Sequence, residues 1–395
     1  MYVEFLSLTD FRSYSHLDLE LGPGVTVFVG PNGLGKTNIV EAIGYLAAMS
    51  SHRVSTDVPL IRFGAERAMI RARLRRGSQG TGVEMEINAA KSNRARINRA
   101  NPVRARDALG LIRTVLFAPE DLALVKGDPS NRRRFLDDLL VSLRPRHAAT
   151  RSDYDRVLKQ RNALLKSARA SGKFTESHQA TLDVWNQHMA VAGAQLLRAR
   201  LDLIDQLQPH IARAYNELTD GSKLAGAKYK STIQTALADD GAAEEDMSAT
   251  AQDLYPLSVD QLAEMYLAAF DAQRRKELER GVSLVGPHRD EIELTLGDVP
   301  AKGYASHGET WSVVLSLRLA SYYVFLADDD AAGAAPILIL DDVFAELDVQ
   351  RRARLAEIVS TTEQVLVTAA VAEDVPAALD GRRIKVVAGG VSDGD

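Results

Sequence analysis

Over the first thirty residues the apolar positions are those of β-structure. Val3, Phe5 and Leu8 are spaced for a half-buried strand, and Leu17, Leu19 and Leu21 alternate with Asp18 and Glu20. Gly22, Pro23 and Gly24 make a turn. Val25 to Val29 is a short, nearly continuous apolar run, the pattern of a strand covered on both faces. It ends in Gly30-Pro31-Asn32-Gly33-Leu34-Gly35-Lys36-Thr37, after which Ile39, Val40, Ile43 and Leu46 follow the 3.6 period. The chain therefore predicts strand, glycine loop and helix in succession. From about residue 66 to 100 alternation returns (Ile70, Ala72, Leu74; Val83, Met85, Ile87) around Gly77-Ser78-Gln79-Gly80, predicting an antiparallel hairpin or meander.

Past Asp128-Pro129-Ser130, a helix start with proline in its first turn, the period becomes helical and stays so. Phe135, Leu136, Leu139, Leu140 and Leu143 mark one amphipathic helix; Tyr154, Leu158 and Leu165 mark a second that stops near Gly172. Leu182, Trp185, Met189, Ala192, Leu196, Ala199 and Leu203 step by alternating threes and fours, a coiled-coil-like seam on a helix from roughly 177 to 218, about 60 Å long. Residues 236–256 carry Asp239, Asp240, Glu244, Glu245, Asp246 and Asp253 among alanines and read as a solvated loop. Ser258 to Gln261 forms a capping box for a helix running to about Arg280. Strand signals resume after Gly281. Ile337 to Leu340 is a buried strand ending in Asp341-Asp342, Val365 to Val367 is another, Ile384 to Val387 is the last, and Gly389 to Asp395 reads as a tail.

Composition narrows the class. The 395 residues include 48 Lys and Arg against 53 Asp and Glu, a formal charge of −5, so any polyanion site must be a local patch. The absence of cysteine removes disulfides, thiolate catalysis, Fe–S clusters and Cys-type zinc sites together. The first residues lack a basic segment followed by an apolar one, and no uninterrupted apolar run approaches the roughly 18 residues that span a bilayer. The expectation is a cytoplasmic protein without a membrane partner.

Gly30 to Thr37 matches G-x-x-x-x-G-K-[ST] at a strand-to-helix junction, the context this phosphate loop needs. Its backbone N–H groups can surround phosphate oxygens, Lys36 can reach the β/γ-phosphates, and Thr37 can offer a hydroxyl to Mg²⁺. Asp341, at the end of a buried strand, is placed as the second Mg²⁺ carboxylate, and Asp342 as the group that orients water toward the γ-phosphate. If both residues continue the strand, their side chains face opposite ways. Some 300 residues separate Lys36 from Asp341, so a large insertion must leave and re-enter the nucleotide-binding fold.

The glycine loop, the helical insertion and the run Asp341-Asp342-Val343-Phe344-Ala345-Glu346-Leu347-Asp348 together resemble the ABC-type ATPase heads of the SMC/Rad50/RecF group. The stretch from Pro119 to Asp137, containing Arg132-Arg133-Arg134-Phe135-Leu136-Asp137, and Gly286-Pro287-His288-Arg289-Asp290 resemble the RecF family in particular. The resemblance implies an α/β head with mixed sheets, composed of residues 1–128 and 283–395, around a mainly helical arm at 129–282. It implies an ATPase with ATP and Mg²⁺ as cofactors, ATP lying against Gly30, Pro31, Asn32, Gly33, Leu34, Gly35, Lys36, Thr37 and Asn38. Ser306, Gly308 and Glu309 fall where the ABC signature lies, which in that group closes on the ATP of a second subunit. Leu347 and Asp348 fall at the D-loop.

Three departures point to slow turnover: Asp342 where most such ATPases have glutamate, Thr368 where many have a histidine, and no glutamine from Phe117 to Asp121. The resemblance further implies an ATP-dependent homodimer on double-stranded or gapped DNA that works with RecO and RecR to load RecA in recombinational repair. Arg12 and Tyr14 are open to nucleotide contact. Lys91, Arg94, Arg96, Arg99, Arg104 and Arg106 fall in sixteen residues without an acid among them, either a DNA-binding patch or a solvated face. His52 with Arg53 form a second candidate patch, and Arg132, Arg133 and Arg134 serve either DNA or the fold. Two rival readings, a transporter ATPase subunit and a nuclease-associated ATPase, share the head chemistry. The first predicts no large insertion between the two phosphate motifs, and the second requires metal-dependent DNA cleavage.

Overall fold

The computed structural model describes residues 1–221, 223–238, 251–329, 331 and 333–393. Most of the acidic stretch expected at 236–256 lies outside these residues. The chain forms two compact units: residues 1–125, 210–224 and 305–395 make the first, and 126–209 with 225–304 the second. Compared with the sequence expectation, residues 210–224 fall in the first unit, and residues 283–304 in the second.

The first unit holds two six-stranded sheets. One is antiparallel, with order β2-β1-β4-β5-β6-β7. Its strands are β1 (Tyr2–Phe11), β2 (Tyr14–Glu20), β4 (Arg67–Arg76), β5 (Gln79–Asn88), β6 (Arg94–Ile97) and β7 (Val103–Arg104). The other has the order β15-β14-β3-β13-β12-β8, from β3 (Gly24–Val29), β8 (Thr114–Phe117), β12 (Ile337–Asp341), β13 (Gln364–Ala369), β14 (Arg382–Val387) and β15 (Gly390–Asp393). Its members from β14 to β8 run parallel. β12 and β13 are buried at every position, which is why they read as unbroken apolar runs. The P-loop helix, Lys36–Ala48, buries Ile39, Val40, Ile43 and Leu46 in one apolar cluster with residues of both sheets. The expected tail is instead β15, an antiparallel partner of β14 in which Ile384 faces Asp393.

The helix His307–Asp328 has an 18-residue window with mean hydropathy 1.3, long and apolar enough to cross a membrane, but that window is 83% buried inside the protein. It is a core helix, apolar because it is covered on most sides.

The second unit contains helices Pro129–Leu143, His147–Ser171 and Val259–Arg280 and most of the long helix Glu176–Leu218. It also contains a three-stranded antiparallel sheet, β11-β10-β9, from β9 (Ala225–Lys230), β10 (Glu291–Leu296) and β11 (Val299–Pro300); of these, β9 falls inside the segment expected to be mainly helical. The long helix buries more than a two-position seam: Asn186, Ala190, Ala194, Leu197, Arg200 and Leu201 are covered along with Leu182, Met189, Leu196 and Leu203. A stripe that wide belongs to a globular core.

The RecF-like motifs meet inside this unit. Arg200, fully buried, donates to both oxygens of Asp137 (2.8 and 2.9 Å) and to the Pro287 carbonyl (2.7 Å). Asp290, also buried, accepts from Tyr229 Oη (2.8 Å) and from Thr232 N and Oγ1 (2.8 and 2.7 Å). Burial raises its pKa. Arg132 clasps Glu291 with two bonds of 2.8 Å, and Arg133 donates to the Asp290 carbonyl at 2.8 Å. Both arginines are therefore engaged in the fold, where the sequence had left DNA open.

Candidate functional site

Gly30 to Thr37 joins β3 to the P-loop helix as the spacing predicts. Two glycines are required by the surroundings: a Cβ on Gly30 would stand 2.6 Å from the Val386 carbonyl oxygen, and one on Gly35 (φ 107°) would stand 2.8 Å from Tyr14 Oη. Lys36 is buried, and its Nζ donates to the carbonyls of Gly30 (2.8 Å) and Pro31 (3.3 Å) and to Asn32 Oδ1 (3.1 Å). The ammonium group thus lies within the loop's own ring of oxygens.

Asp341 joins this group through strand order. β13 lies between β3 and β12, and its Thr368 pairs in register with Asp341. Asp341 Oδ1 accepts from Thr37 Oγ1 at 2.9 Å and from Thr368 Oγ1 at 2.6 Å. A buried carboxylate next to a threonine hydroxyl, at the mouth of a phosphate loop, fits a Mg²⁺ ion that takes its other ligands from phosphate and water. No group of three or more His, Cys, Asp or Glu side chains suited to holding a metal occurs among the described residues. A two-side-chain Mg²⁺ site does not require one.

Asp342 corrects the strand argument. β12 stops at Asp341, and Asp342 has φ 51°, so the alternation of a strand does not set its direction. Its N–H donates to Thr368 Oγ1 at 2.9 Å. Burial first, and the neighbouring Asp341 second, raise its pKa. Thr368 therefore anchors both aspartates with one hydroxyl.

Arg12 is spent on the fold: its guanidinium makes two bonds, 2.8 and 2.6 Å, to the buried Glu41, and a third of 3.0 Å to the Pro59 carbonyl. Tyr14 Oη donates to the Gly35 carbonyl at 3.3 Å, and burial pushes its pKa up to about 12. Asn38 Nδ2 donates to Ser13 Oγ (2.9 Å) and its Oδ1 accepts from Arg53 (3.1 Å). His52, assigned from sequence to a basic patch, lies with Nε2 3.7 Å from Asp341 Oδ2. A cavity of about 600 Å³ beside this end of the helix is lined by Arg12, Asn38, Arg53 and the fully exposed Phe63.

Ser306 is the N-cap of the helix His307–Asp328 in a capping box with Glu309. Ser306 N donates to Glu309 Oε2 (2.8 Å), and Glu309 N to Ser306 Oγ (3.3 Å). Lys223 Nζ donates to Glu309 Oε1 at 2.6 Å; that bond and the cap hold the Glu309 pKa down at about 2. Gly308 leaves room for a guanidinium: a Cβ there would stand 3.1 Å from Arg351 Nη1. Arg351 donates to Ser312 Oγ at 2.7 Å and pairs with Asp348, the N-cap of the helix Val349–Val359. The starts of these two helices are thus tied within the first unit by Arg351, a residue the sequence reading did not name.

The basic cluster is diluted by its neighbours. Lys91, Arg94, Arg96, Arg99, Arg104 and Arg106 are all exposed, but Arg94 and Arg96 lie across from Glu86 and Glu84 on β5, acids that also pair with Arg67 and Arg71 of β4, and Arg106 lies 4.0 Å from Asp107. Acids distant in sequence arrive on the adjacent strand.

A glycine loop after a central parallel strand, a buried aspartate two strands away and a serine-capped helix in the same unit define an ABC-type ATPase head of the SMC class. The family profile described as "RecF/RecN/SMC N terminal domain" matches residues 2–392. The protein from Paenarthrobacter aurescens (strain TC1) named "DNA replication and repair protein RecF" is 70% identical over 396 residues, 99% of either chain. Its namesake from Beutenbergia cavernae is 55% identical, again over 99% of either chain. At the level of fold, the "Structure of the recombination mediator protein RecF-ATP in RecFOR pathway" superposes with a TM-score of 0.85 at 23% identity, covering 100% of this chain and 98% of that one. The Smc head domain from Pyrococcus furiosus gives 0.51 at 16% identity, covering 99% and 95%. The chain belongs to the RecF family.

Proposed function

We propose that this protein is a slow ATPase that acts in DNA replication and recombinational repair as a nucleotide-dependent DNA clamp. The observation that carries the reading is the convergence of Lys36, Thr37 and Asp341 at the ends of β3 and β12, built from segments some 300 residues apart. The loop Gly30–Asn38 takes the phosphates of ATP, and the 600 Å³ cavity suits its nucleoside, with Phe63 as a stacking surface. Thr37 and Asp341 hold Mg²⁺, which neutralises charge on the β- and γ-phosphates. Asp342 orients the attacking water; one methylene shorter than glutamate and anchored at its backbone by Thr368, it suits slow turnover.

Ser306, Gly308 and Glu309 form the surface that meets the ATP of a second copy. The start of a helix presents free N–H groups and a partial positive charge to a phosphate. ATP then joins two heads around double-stranded or gapped DNA, and hydrolysis releases them. As the family resemblance implies, the protein works with RecO and RecR to load RecA, in the cytoplasm; the solved relative is described as acting in the RecFOR pathway. DNA contact through phosphates predicts a steep fall of affinity with salt.

Sedimentation with ATP, with ADP and without nucleotide tests the dimer: ATP alone should double the mass, and a mass independent of ATP refutes it. DNA binding across a salt series for the wild type and Lys36→Ala tests the rest. The variant should keep a basal salt-dependent affinity and lose the ATP effect.

A further inference from the structure

Asp341 has two carboxylate oxygens with unequal surroundings. Oδ1 accepts from the hydroxyls of Thr37 and Thr368, whereas Oδ2 faces His52 Nε2 at 3.7 Å. The His52 side chain is only 15% exposed, and Nε2 is shielded from solvent and has no hydrogen-bond partner among the described residues. An unsatisfied buried nitrogen is costly, so a role that uses it is the natural account of its position.

The backbone around His52 is anchored on both sides. Ser51 Oγ donates to the buried Glu41 at 2.5 Å and accepts from the N–H groups of Arg53 (2.9 Å) and Val54 (3.3 Å). Arg53 is tied to Asn38, the residue after Thr37, at 3.1 Å. The ring is thus delivered to Asp341 by a segment fastened to the P-loop helix. A shift of well under 1 Å converts 3.7 Å into a hydrogen bond.

We infer that His52 is a positioning residue for Asp341, donating from Nε2 to Oδ2 and fixing the carboxylate that takes the divalent cation. The inference rests on the nucleotide reading above. A cation taken by Thr37 withdraws that hydroxyl from Asp341, leaving Thr368 on Oδ1 and His52 on Oδ2 to orient the carboxylate. Groups that orient a metal-binding side chain contribute about 10- to 100-fold to metal affinity.

The test uses the full chain with Mn²⁺ as probe. Mn²⁺ affinity is read from the spin-resonance signal of the free ion in the presence of ADP, and ADP affinity is measured separately in EDTA. His52→Ala should weaken Mn²⁺ binding about 10-fold or more while ADP affinity in EDTA stays within about twofold. His52→Gln, whose amide nitrogen reaches the place of Nε2, should regain most of the loss. His52→Asn places its nitrogen at the other ring position and should not; it replaces the alanine variant should that fail to fold. The inference is overturned by unchanged Mn²⁺ affinity, by a glutamine variant no better than asparagine, or by an equal loss of ADP affinity in EDTA, which would put His52 on the nucleotide. If the wild type itself binds neither ADP nor Mn²⁺ with ADP, the nucleotide reading fails with it.

Discussion

Thr368 offers the sharpest test of how the site is assembled. It is buried at the end of β13, and its hydroxyl donates to Asp341 at 2.6 Å while accepting from Asp342 N–H at 2.9 Å. Thr368→Val preserves shape and removes both bonds. The bond to an ionised carboxylate contributes about 1.5–3 kcal/mol, and the half-buried N–H left without its partner costs about 1–3 kcal/mol, so the two together amount to about 2.5–6 kcal/mol. Thr368→Ser keeps the hydroxyl and loses one buried methyl, about 1 kcal/mol. The protein has two tryptophans, Trp185 in the second unit and Trp311 in the first, so in a Trp185→Phe background the emission reports the unit that carries Thr368. Thermal unfolding followed by that emission should fall by on the order of 10 °C for valine and by a few degrees for serine. A valine variant as stable as the serine variant would refute the reasoning, since it would mean that the shared hydroxyl contributes nothing.

The second unit supports two further expectations. Arg200→Met removes both hydrogen bonds from the buried Asp137 and leaves it only Arg151, 3.7 Å away, so it should cost about 3 kcal/mol of that unit's stability by urea titration of Trp185 emission; adding Asp137→Leu should recover much of it, and failure to recover would place the arginine's importance elsewhere. Burial holds the His288 pKa down at about 4, while Nδ1 bonds Tyr154 Oη at 2.7 Å. Because the unfolded chain takes up this proton first, the contribution is complete above pH 6.5 and is lost as pH falls toward 4, by at most about 3 kcal/mol. His288→Gln should flatten that part of the stability–pH curve, and an unchanged slope would assign it to other groups.

What could be read from sequence was what lies close together in sequence. The phosphate loop carries its strand, turn and helix in twenty-five consecutive residues from Gly24 to Ala48, and the Ser306–Glu309 box is complete in four. Thr368 and His52 reach Asp341 only because of strand order and the path after the P-loop helix, and no spacing encodes either. Arg94 and Arg96 looked unopposed because Glu84 and Glu86 approach from the neighbouring strand rather than along the chain. β15, four residues with a single valine, carries no periodic signal. Arg132 and Arg133, open from sequence to either DNA or the fold, are drawn inward by Glu291 and the Asp290 carbonyl, partners more than 150 residues away.

Arg351 fastens Ser312 to Asp348, so the beginnings of two helices are clamped at one corner, with the bare Gly308 making the clamp possible. Neither beginning can be pushed aside without dragging the other. Any molecule arriving at that corner meets a single stiff key, and a side chain added at Gly308 would blunt both of its teeth at once.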